Sequence, residues 1–169
     1  GYEGEVIVVD NGSTDGSPGL ALRAGARVVR EPTPGYGAAL AAGFVAAAGD
    51  TIVMADADLT YDLEQLGGLI APLASGADLV LGARLRGDIE AGAMPRLHRY
   101  VGTPVLTRAL LVAAGVRVSD SQSGFRAFRR DTILRLGLRA RGMEFASEML
   151  FRAARAGLTV VEVPTNYRA

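Results

Sequence analysis

The sequence predicts an α/β protein with a mostly parallel sheet flanked by helices. Short runs rich in β-branched residues alternate with longer segments rich in Ala, Leu and Gly, a pattern typical of βαβ units. The chain has 169 residues, of which 49% are hydrophobic, and this suffices for one domain with its own core. We therefore expect a single domain, 1–169, whose ligands bind at the carboxyl ends of the strands.

Each element is predicted from its local composition. Strands are expected at 5–9, 26–29, 51–55, 78–82 and 159–163. Helices are expected at 16–24, 37–48, 63–74, 97–114, 132–136 and 145–156. The regular alternation is interrupted over 84–141, where we expect an insertion beside the ligand cleft.

Charge is unevenly distributed although the net charge is zero. Residues 1–83 contain 3 Arg and 11 acidic residues, whereas residues 84–141 contain 12 Arg and 4 acidic residues. An acidic half suits cations, and a basic half suits phosphates or an anionic membrane surface. No run of 18 apolar residues is present, so no membrane-spanning helix is expected. The absence of Cys excludes disulfides and thiolate metal sites.

Two aspartates follow the third predicted strand, in the segment IVMADADLTY. Asp56 and Asp58 are separated only by Ala57. Carboxylates this close repel each other and resist leaving water, so a cation is expected between them. Mg²⁺ is commonly held by one or two carboxylates together with substrate phosphates, and we expect Mg²⁺ or Mn²⁺ here. In the alternative interpretation, Asp58 or Asp62 only caps the next helix, a task that Asp62 can perform alone.

Two short motifs point to other enzyme classes but lack the expected context. Asp56-x-Asp58-x-Thr60 matches the motif of haloacid-dehalogenase phosphatases, but two βα units precede it and the chain has no Lys. GYGAALAAG with an aspartate about 20 residues downstream suggests a dinucleotide-binding dehydrogenase. However, Pro32 and Pro34 lie where a strand should lead into those glycines. The phosphatase is kept as a remote alternative.

A longer set of motifs, in order along the chain, carries a resemblance to a known family. The segments are VIVVDNGSTDGS, GYGAALAAGF, MADADLTYD, LVLGAR, DSQSGFRAFRR, GMEFASEML and EVPTNY. They cover essentially the whole chain and resemble the family-two glycosyltransferases of the GT-A fold, which is Rossmann-like. Within this family the chain looks most similar to dolichyl- or polyprenyl-phosphate sugar synthases. Compared with those enzymes, the domain is expected to be truncated at both ends.

The resemblance implies that residues 1–83 form the nucleotide-sugar and metal half. Asp10, at the end of the first strand, is implied to accept hydrogen bonds from the nucleobase. The helix start at Gly37 and Ala38 should offer free N–H groups to an anion. Many relatives carry Lys or Arg where this chain has Tyr36. The residues assigned to the donor and its metal are Asp10, Asn11, Ser13, Asp15, Gly37, Asp56 and Asp58.

The resemblance also implies that residues 84–169 form the acceptor half. Arg84, Arg96 and Arg99 lie where similar enzymes hold the acceptor phosphate, and guanidinium groups suit phosphate because they present paired donors. The residues assigned to the reaction centre are Asp120, Gln122, Ser123 and Arg126, and Asp58 and Arg84 complete the catalytic set.

The expected reaction is transfer of a sugar from a nucleotide-diphosphate sugar to a polyprenyl phosphate, with inversion. A phosphate monoester has a second pKa of roughly 6, so this acceptor needs no strong base and instead requires positive charge. A hydroxyl acceptor would require a carboxylate base, for which Asp120, Glu144 and Glu148 are the candidates. A non-catalytic fragment that binds nucleotide sugars is the third alternative.

The expected location is the cytoplasm, including the cytoplasmic face of the membrane, with peripheral membrane contact and no nucleic-acid partner. The sequence does not indicate the sugar, the base or the oligomeric state.

Overall fold

The computed structural model describes residues 3–95, 97–115 and 117–169, without the side chains of His98 and Arg99. The strands are β1 (Ile7–Asp10), β2 (Arg27–Arg30), β3 (Thr51–Met54), β4 (Leu79–Ala83), β5 (Arg126–Arg129) and β6 (Val160–Pro164). The helices are α1 (Ser17–Arg23), α2 (Tyr36–Ala46), α3 (Leu66–Ala74), α4 (Thr103–Ala114), α5 (Arg130–Arg135) and α6 (Phe145–Arg155). Short 3₁₀ segments span Leu63–Gln65 and Arg84–Arg86, and a π-helical turn spans His98–Gly102.

The strands form two sheets. β1 and β2 pair in parallel, and the larger sheet has the order β3-β5-β4-β6. In the larger sheet β4 and β6 are parallel, whereas β5 is antiparallel to both β3 and β4. Three of its four strands therefore run in the same direction, and the predicted mostly parallel α/β fold is confirmed.

β5 is the strand that the sequence did not predict. Its residues, RAFR, contain no β-branched side chain and have Arg at both ends, so they lack the usual signature of a strand. Three of the four are nevertheless buried, because β5 lies between β3 and β4.

The larger sheet separates two hydrophobic clusters. Leu79 and Leu81 of β4 belong to one cluster, with Phe128, whereas Val80 belongs to the other, with Phe125. This division follows the two-residue period of a strand, which sends successive side chains to opposite faces. Residues of α2, α5 and α6 cover the first face, and residues of α3 cover the second.

A groove of about 830 Å³ lies between the two sheets. Its walls include residues 7–9 of β1, 51–54 of β3, and Leu40 and Phe44 of α2. Among the residues that the structure describes, no ladder of hydrogen bonds joins β1 to β3. The groove ends beside Asp56, at the carboxyl end of β3.

Candidate active site

Asp58 is held in a tight turn directly after β3. Its Oδ1 accepts hydrogen bonds from the Thr60 amide at 3.1 Å and from the Thr60 hydroxyl at 2.6 Å. Leu59 takes a positive φ of 65°, which is rare for a residue with a branched side chain and marks local strain. The turn leaves the Asp58 side chain at the surface.

Asp56 is half-buried, two residues before Asp58. Burial raises the pKa of its carboxyl group; a hydrogen bond from the Tyr36 phenol opposes this rise, and the charge of Asp58 adds to it. Burial, followed by the charge of Asp56, raises the pKa of Tyr36, so the phenol remains a donor. Gly124 lies against this carboxylate, because a Cβ at position 124 would overlap the Asp56 Oδ2.

The two aspartates suit a divalent cation that is shared with a phosphate ligand. Among the described side chains, neither aspartate forms an ion pair. The described residues also contain no cluster of three or more Asp, Glu, His or Cys that could hold a metal by itself. Mg²⁺ bound by one or two carboxylates takes its remaining ligands from water and substrate phosphates. Asp56 and Asp58 fit this type of site.

The residues assigned to the nucleotide lie at the carboxyl end of β1 and hold its turn. Asp10 Oδ1 accepts the Ser13 amide at 2.9 Å, and this bond lowers the pKa of Asp10. Asn11 donates to the carbonyls of Glu31 and Thr33, both at 2.8 Å, and so ties the turn to the next loop.

Asp15 also has a structural partner. It accepts the Ser17 amide and hydroxyl at the start of α1, at 3.0 and 2.6 Å, and these bonds lower its pKa. In both Asp10 and Asp15, one carboxylate oxygen is therefore used in local structure, by the turn after β1 and by the start of α1 respectively.

The expectation that Gly37 and Ala38 offer free N–H groups to an anion was wrong. Both amides donate to the Arg141 carbonyl, at 2.9 and 3.2 Å. A Cβ at position 37 would also meet the Ala140 carbonyl and Phe145. Gly37 is therefore required because α2 packs against the chain before α6.

Arg84 and Asp120 form a buried bidentate ion pair. The Arg84 Nε and Nη2 donate to the two Asp120 oxygens at 2.7 and 2.9 Å, and Asp120 is fully buried. Burial alone would lower the pKa of Arg84, but the hydrogen bonds and charge of Asp120 raise it. The guanidinium also lies over the Tyr167 ring, 5.2 Å from its centroid. Arg84 therefore brings a fixed positive charge to the end of β4.

Arg126 is fully buried, and its guanidinium donates to main-chain carbonyls. Nε donates to Ser123, Nη2 to Ser121 and Nη1 to Ala146, each at 2.9 Å. Burial lowers its pKa to about 10, so it remains charged at neutral pH. In this conformation Arg126 holds together the loop before β5 and the start of α6, and no part of it is exposed to a substrate.

The loop between Asp120 and β5 is held by side-chain hydroxyls. Gln122 donates to the Ser121 and Ser147 hydroxyls at 3.1 and 3.0 Å. The Ser123 hydroxyl accepts the Phe125 amide at 3.3 Å. This loop lies against Asp56 because Gly124 is in contact with that carboxylate.

Arg96 and the Arg99 side chain lie outside the described residues. The remaining candidate bases are both engaged. Glu148 accepts the Arg139 and Ala140 amides and pairs with Arg152 at 2.7 Å. Glu144 accepts the Gly142 amide at 3.1 Å.

Three tyrosines contribute to the site, and sequence analysis did not identify their roles. The Tyr36 phenol lowers the pKa of Asp56. The Tyr61 hydroxyl accepts the Gly124 amide at 2.8 Å. The Tyr61 and Tyr167 rings pack edge to face with their centroids 5.2 Å apart, and the Tyr167 ring also contacts Arg84. The one available signal was the expectation, from the family resemblance, of Lys or Arg in place of Tyr36.

The model of the family described as "Glycosyl transferase family 2" matches residues 1–137. This match covers most of the 169 residues. The chain belongs to glycosyl transferase family 2. The expected resemblance is therefore confirmed.

Named relatives of this family-two chain include two proteins of Haloferax volcanii. The low-salt glycan biosynthesis hexosyltransferase Agl6 is 46% identical over 97% of this chain, which spans 40% of that protein. The dolichyl-phosphate hexose transferase is 35% identical over 97% of this chain, which spans 70% of that protein.

A solved structure of another glycosyltransferase shares the fold. Glucosyl-3-phosphoglycerate synthase from Mycobacterium tuberculosis, in complex with Mn²⁺, uridine diphosphate and phosphoglyceric acid, has a TM-score of 0.75 and 30% identity. The match covers 96% of this family-two chain and 58% of that enzyme. The predicted GT-A fold is confirmed, and no helix in the described part of the chain is long and apolar enough to cross a membrane.

Proposed function

We propose that this family-two domain transfers a hexose from a nucleotide-diphosphate sugar to a polyprenyl phosphate, with inversion at the anomeric carbon. The observation that carries the proposal is the arrangement of charge at the ends of β3 and β4. Asp56 and Asp58 stand without a cationic partner among the described side chains. Arg84 directly follows β4, and its guanidinium is held by Asp120.

On the donor side, Asp56 and Asp58 would hold Mg²⁺ or Mn²⁺ together with the diphosphate. When bound, this ion supplies positive charge that stabilises the departing nucleoside diphosphate. The protein contributes rigidity, because the Thr60 hydroxyl holds Asp58 and the close approach of Gly124 restricts Asp56. Preorganised groups of this kind need no reorganisation during the reaction. The complex of a structural neighbour with Mn²⁺ and uridine diphosphate supports this assignment.

On the acceptor side, the state of the candidate bases favours a phosphate over a hydroxyl. Asp120 is paired with Arg84 and Glu148 with Arg152, which leaves only Glu144, an exposed side chain that accepts one main-chain amide through Oε1. A hydroxyl acceptor would need one of these carboxylates free to take its proton. A phosphate monoester is largely ionised near neutral pH and can attack without a base. The name of the dolichyl-phosphate hexose transferase also supports this acceptor class.

Arg84 would act on the acceptor as a fixed charge near the end of β4. Its two described hydrogen bonds to Asp120 use one edge of the guanidinium. The remaining Nη1 can donate to a phosphate oxygen without breaking that pair. We place the activity at the cytoplasmic side of a membrane, where a polyprenyl phosphate and a cytoplasmic nucleotide sugar would meet.

A direct test compares a short-chain polyprenyl phosphate with the corresponding polyprenol, using GDP- and UDP-sugars and Mn²⁺. We expect transfer to the phosphate only. The Asp58→Asn variant should lose on the order of 100-fold or more of that transfer. Asp88→Asn changes an exposed aspartate and serves as the matched control. Transfer to the polyprenol would refute the acceptor assignment.

Calorimetry on the same proteins separates an enzyme from a binding fragment. Binding of a nucleotide sugar with Mn²⁺, but no transfer to any acceptor, would refute the catalytic part of the proposal. Binding that does not depend on Mn²⁺ or on Asp58 would refute the metal assignment.

A further inference from the structure

α4 buries two threonines while several of its aliphatic side chains are exposed. Thr103 and Thr107 are 5% and 7% exposed. Val105 and Val112, on the other side of the same helix, are 60% and 82% exposed. In a helix facing water the opposite arrangement is usual, so the surroundings of this face require an explanation.

The orientation of α4 is fixed by hydrogen bonds and packing. The Thr107 hydroxyl donates to the Ser121 hydroxyl at 2.9 Å and accepts the Ser121 amide at 3.1 Å. Leu110 and Ala114 pack against the main hydrophobic cluster. Rotating the helix to bury its valines would break these contacts, so the outward aliphatic face is a property of the fold.

We define the α4 outer face as Val105, Leu106, Arg108 and Val112 of α4 together with Val101 of the preceding π-helical turn. The aliphatic members are between 49% and 82% exposed, and Arg108 is exposed among them. Several exposed aliphatic side chains grouped along one side of a helix are typical of an interaction site.

The sequence around this face is basic, and two of its arginines are exposed in the described structure. The sequence from 91 to 119 contains four Arg and no acidic residue. Arg108 lies within the α4 outer face, and Arg117 is exposed just beyond the end of the helix. Aliphatic side chains combined with Arg match an anionic lipid surface, where the former enter the acyl boundary and the latter contact lipid phosphates.

The dimensions favour contact with the surface of a bilayer over insertion across it. α4 has 12 residues and would be about 18 Å long, whereas crossing the hydrocarbon core takes about 20 residues. A helix of this length can lie in the plane of the interface.

We propose that the α4 outer face docks on an anionic lipid bilayer, with its valines in the interfacial region and Arg108 against lipid phosphate. The role of this contact, though not the contact itself, rests on the proposed function. Ser121 joins α4 to the loop that contains Asp120, the partner of Arg84. Docking through α4 would therefore bring the acceptor end of the site to the membrane that holds a polyprenyl phosphate.

Co-sedimentation with vesicles tests the docking surface without any sugar donor. Vesicles of phosphatidylcholine alone are compared with vesicles containing phosphatidylglycerol. We expect binding to the anionic vesicles, and a loss of about tenfold or more in the Val105→Ser, Val112→Ser double variant. Val6→Ser, Val45→Ser is the matched control, because these valines are 67% and 66% exposed elsewhere, and it should bind as the parent protein does. Arg108→Gln should weaken binding to anionic vesicles specifically.

Three results would overturn the proposal: no binding of the parent protein to anionic vesicles, equal loss in the control variant, or undiminished binding of the α4 double variant. The first result would indicate that another protein surface covers this face. Circular dichroism verifies that the variants are folded. Transfer to a water-soluble short-chain acceptor is measured separately and should be unchanged in the double variant. Vesicle binding without any transfer would contradict the proposed function and leave the docking surface supported.

Discussion

The Asp120→Ala variant should be severely destabilised, because it would leave the Arg84 guanidinium without its partner. Asp120 is fully buried and the Arg84 side chain is only 11% exposed. Breaking a buried ion pair by removing one member typically costs about 3–5 kcal/mol, since the remaining charge stays desolvated. With a urea dependence of about 2 kcal/mol per M, the unfolding midpoint should fall by about 2 M.

Urea unfolding followed by circular dichroism measures this shift. Asp131→Ala is the matched control, because its carboxylate pairs with Arg130 at the surface and is 75% exposed; its midpoint should be essentially unchanged. Replacing both members of the buried pair, as in Arg84→Met with Asp120→Leu, should restore much of the stability. If Asp120→Ala unfolds at the parent midpoint while losing transfer activity, Asp120 is a catalytic base and the structural interpretation is refuted.

Three further predictions concern the aspartate pair and α6. Tyr36→Phe should weaken Mn²⁺ binding by about 10- to 100-fold. In the parent protein the Tyr36 phenol lowers the pKa of Asp56, so in the variant this pKa should rise and Mn²⁺ affinity should begin to fall at a higher pH on acidification. An unchanged pH titration of Mn²⁺ binding would contradict this. Gly124→Ala should reduce Mn²⁺ affinity by about tenfold or more, since its Cβ would displace the Asp56 carboxylate; calorimetry giving the parent affinity would refute the contact. Burial alone would raise the pKa of Glu148, but main-chain hydrogen bonds lower it below its ordinary value. The ionised Glu148 side chain therefore stabilises the fold above its unfolded-state pKa, and this stabilisation is lost as pH falls through its folded-state pKa. Glu148→Gln should thus be less stable than the parent at pH 7 and converge with it in acid, whereas a constant difference in urea midpoint would argue against this.

The aspartate pair and most of the fold could be predicted from local sequence. Five strands were predicted close to their observed positions, because each contains a local run of aliphatic residues. Asp56 and Asp58 were also recognised from local sequence, because two carboxylates at the end of an aliphatic strand are unusual.

The features that were missed depend on contacts between distant parts of the chain. The carbonyl that occupies the amides at the start of α2 comes from Arg141, more than a hundred residues away, and no pattern near Gly37 indicates it. The burial of Arg126 likewise depends on carbonyls from a loop and from α6. An arginine in the sequence suggests an exposed charge, and only the fold shows that its donors are already used. The assignment of residues 1–83 and 84–169 to donor and acceptor stays a prediction.

The register of β5 has a consequence for how this domain tolerates change. Met54 lies opposite Arg126, and Leu81 lies opposite the same residue on the other side. A slip of one position would send each side chain of β5 to the other face of the sheet, extracting a charged group from its carbonyl cage and withdrawing Gly124 from Asp56. The alignment of the proposed donor and acceptor ends thus depends on a ladder only four residues long. Substitutions in that short strand should therefore impair catalysis even where they never touch a ligand.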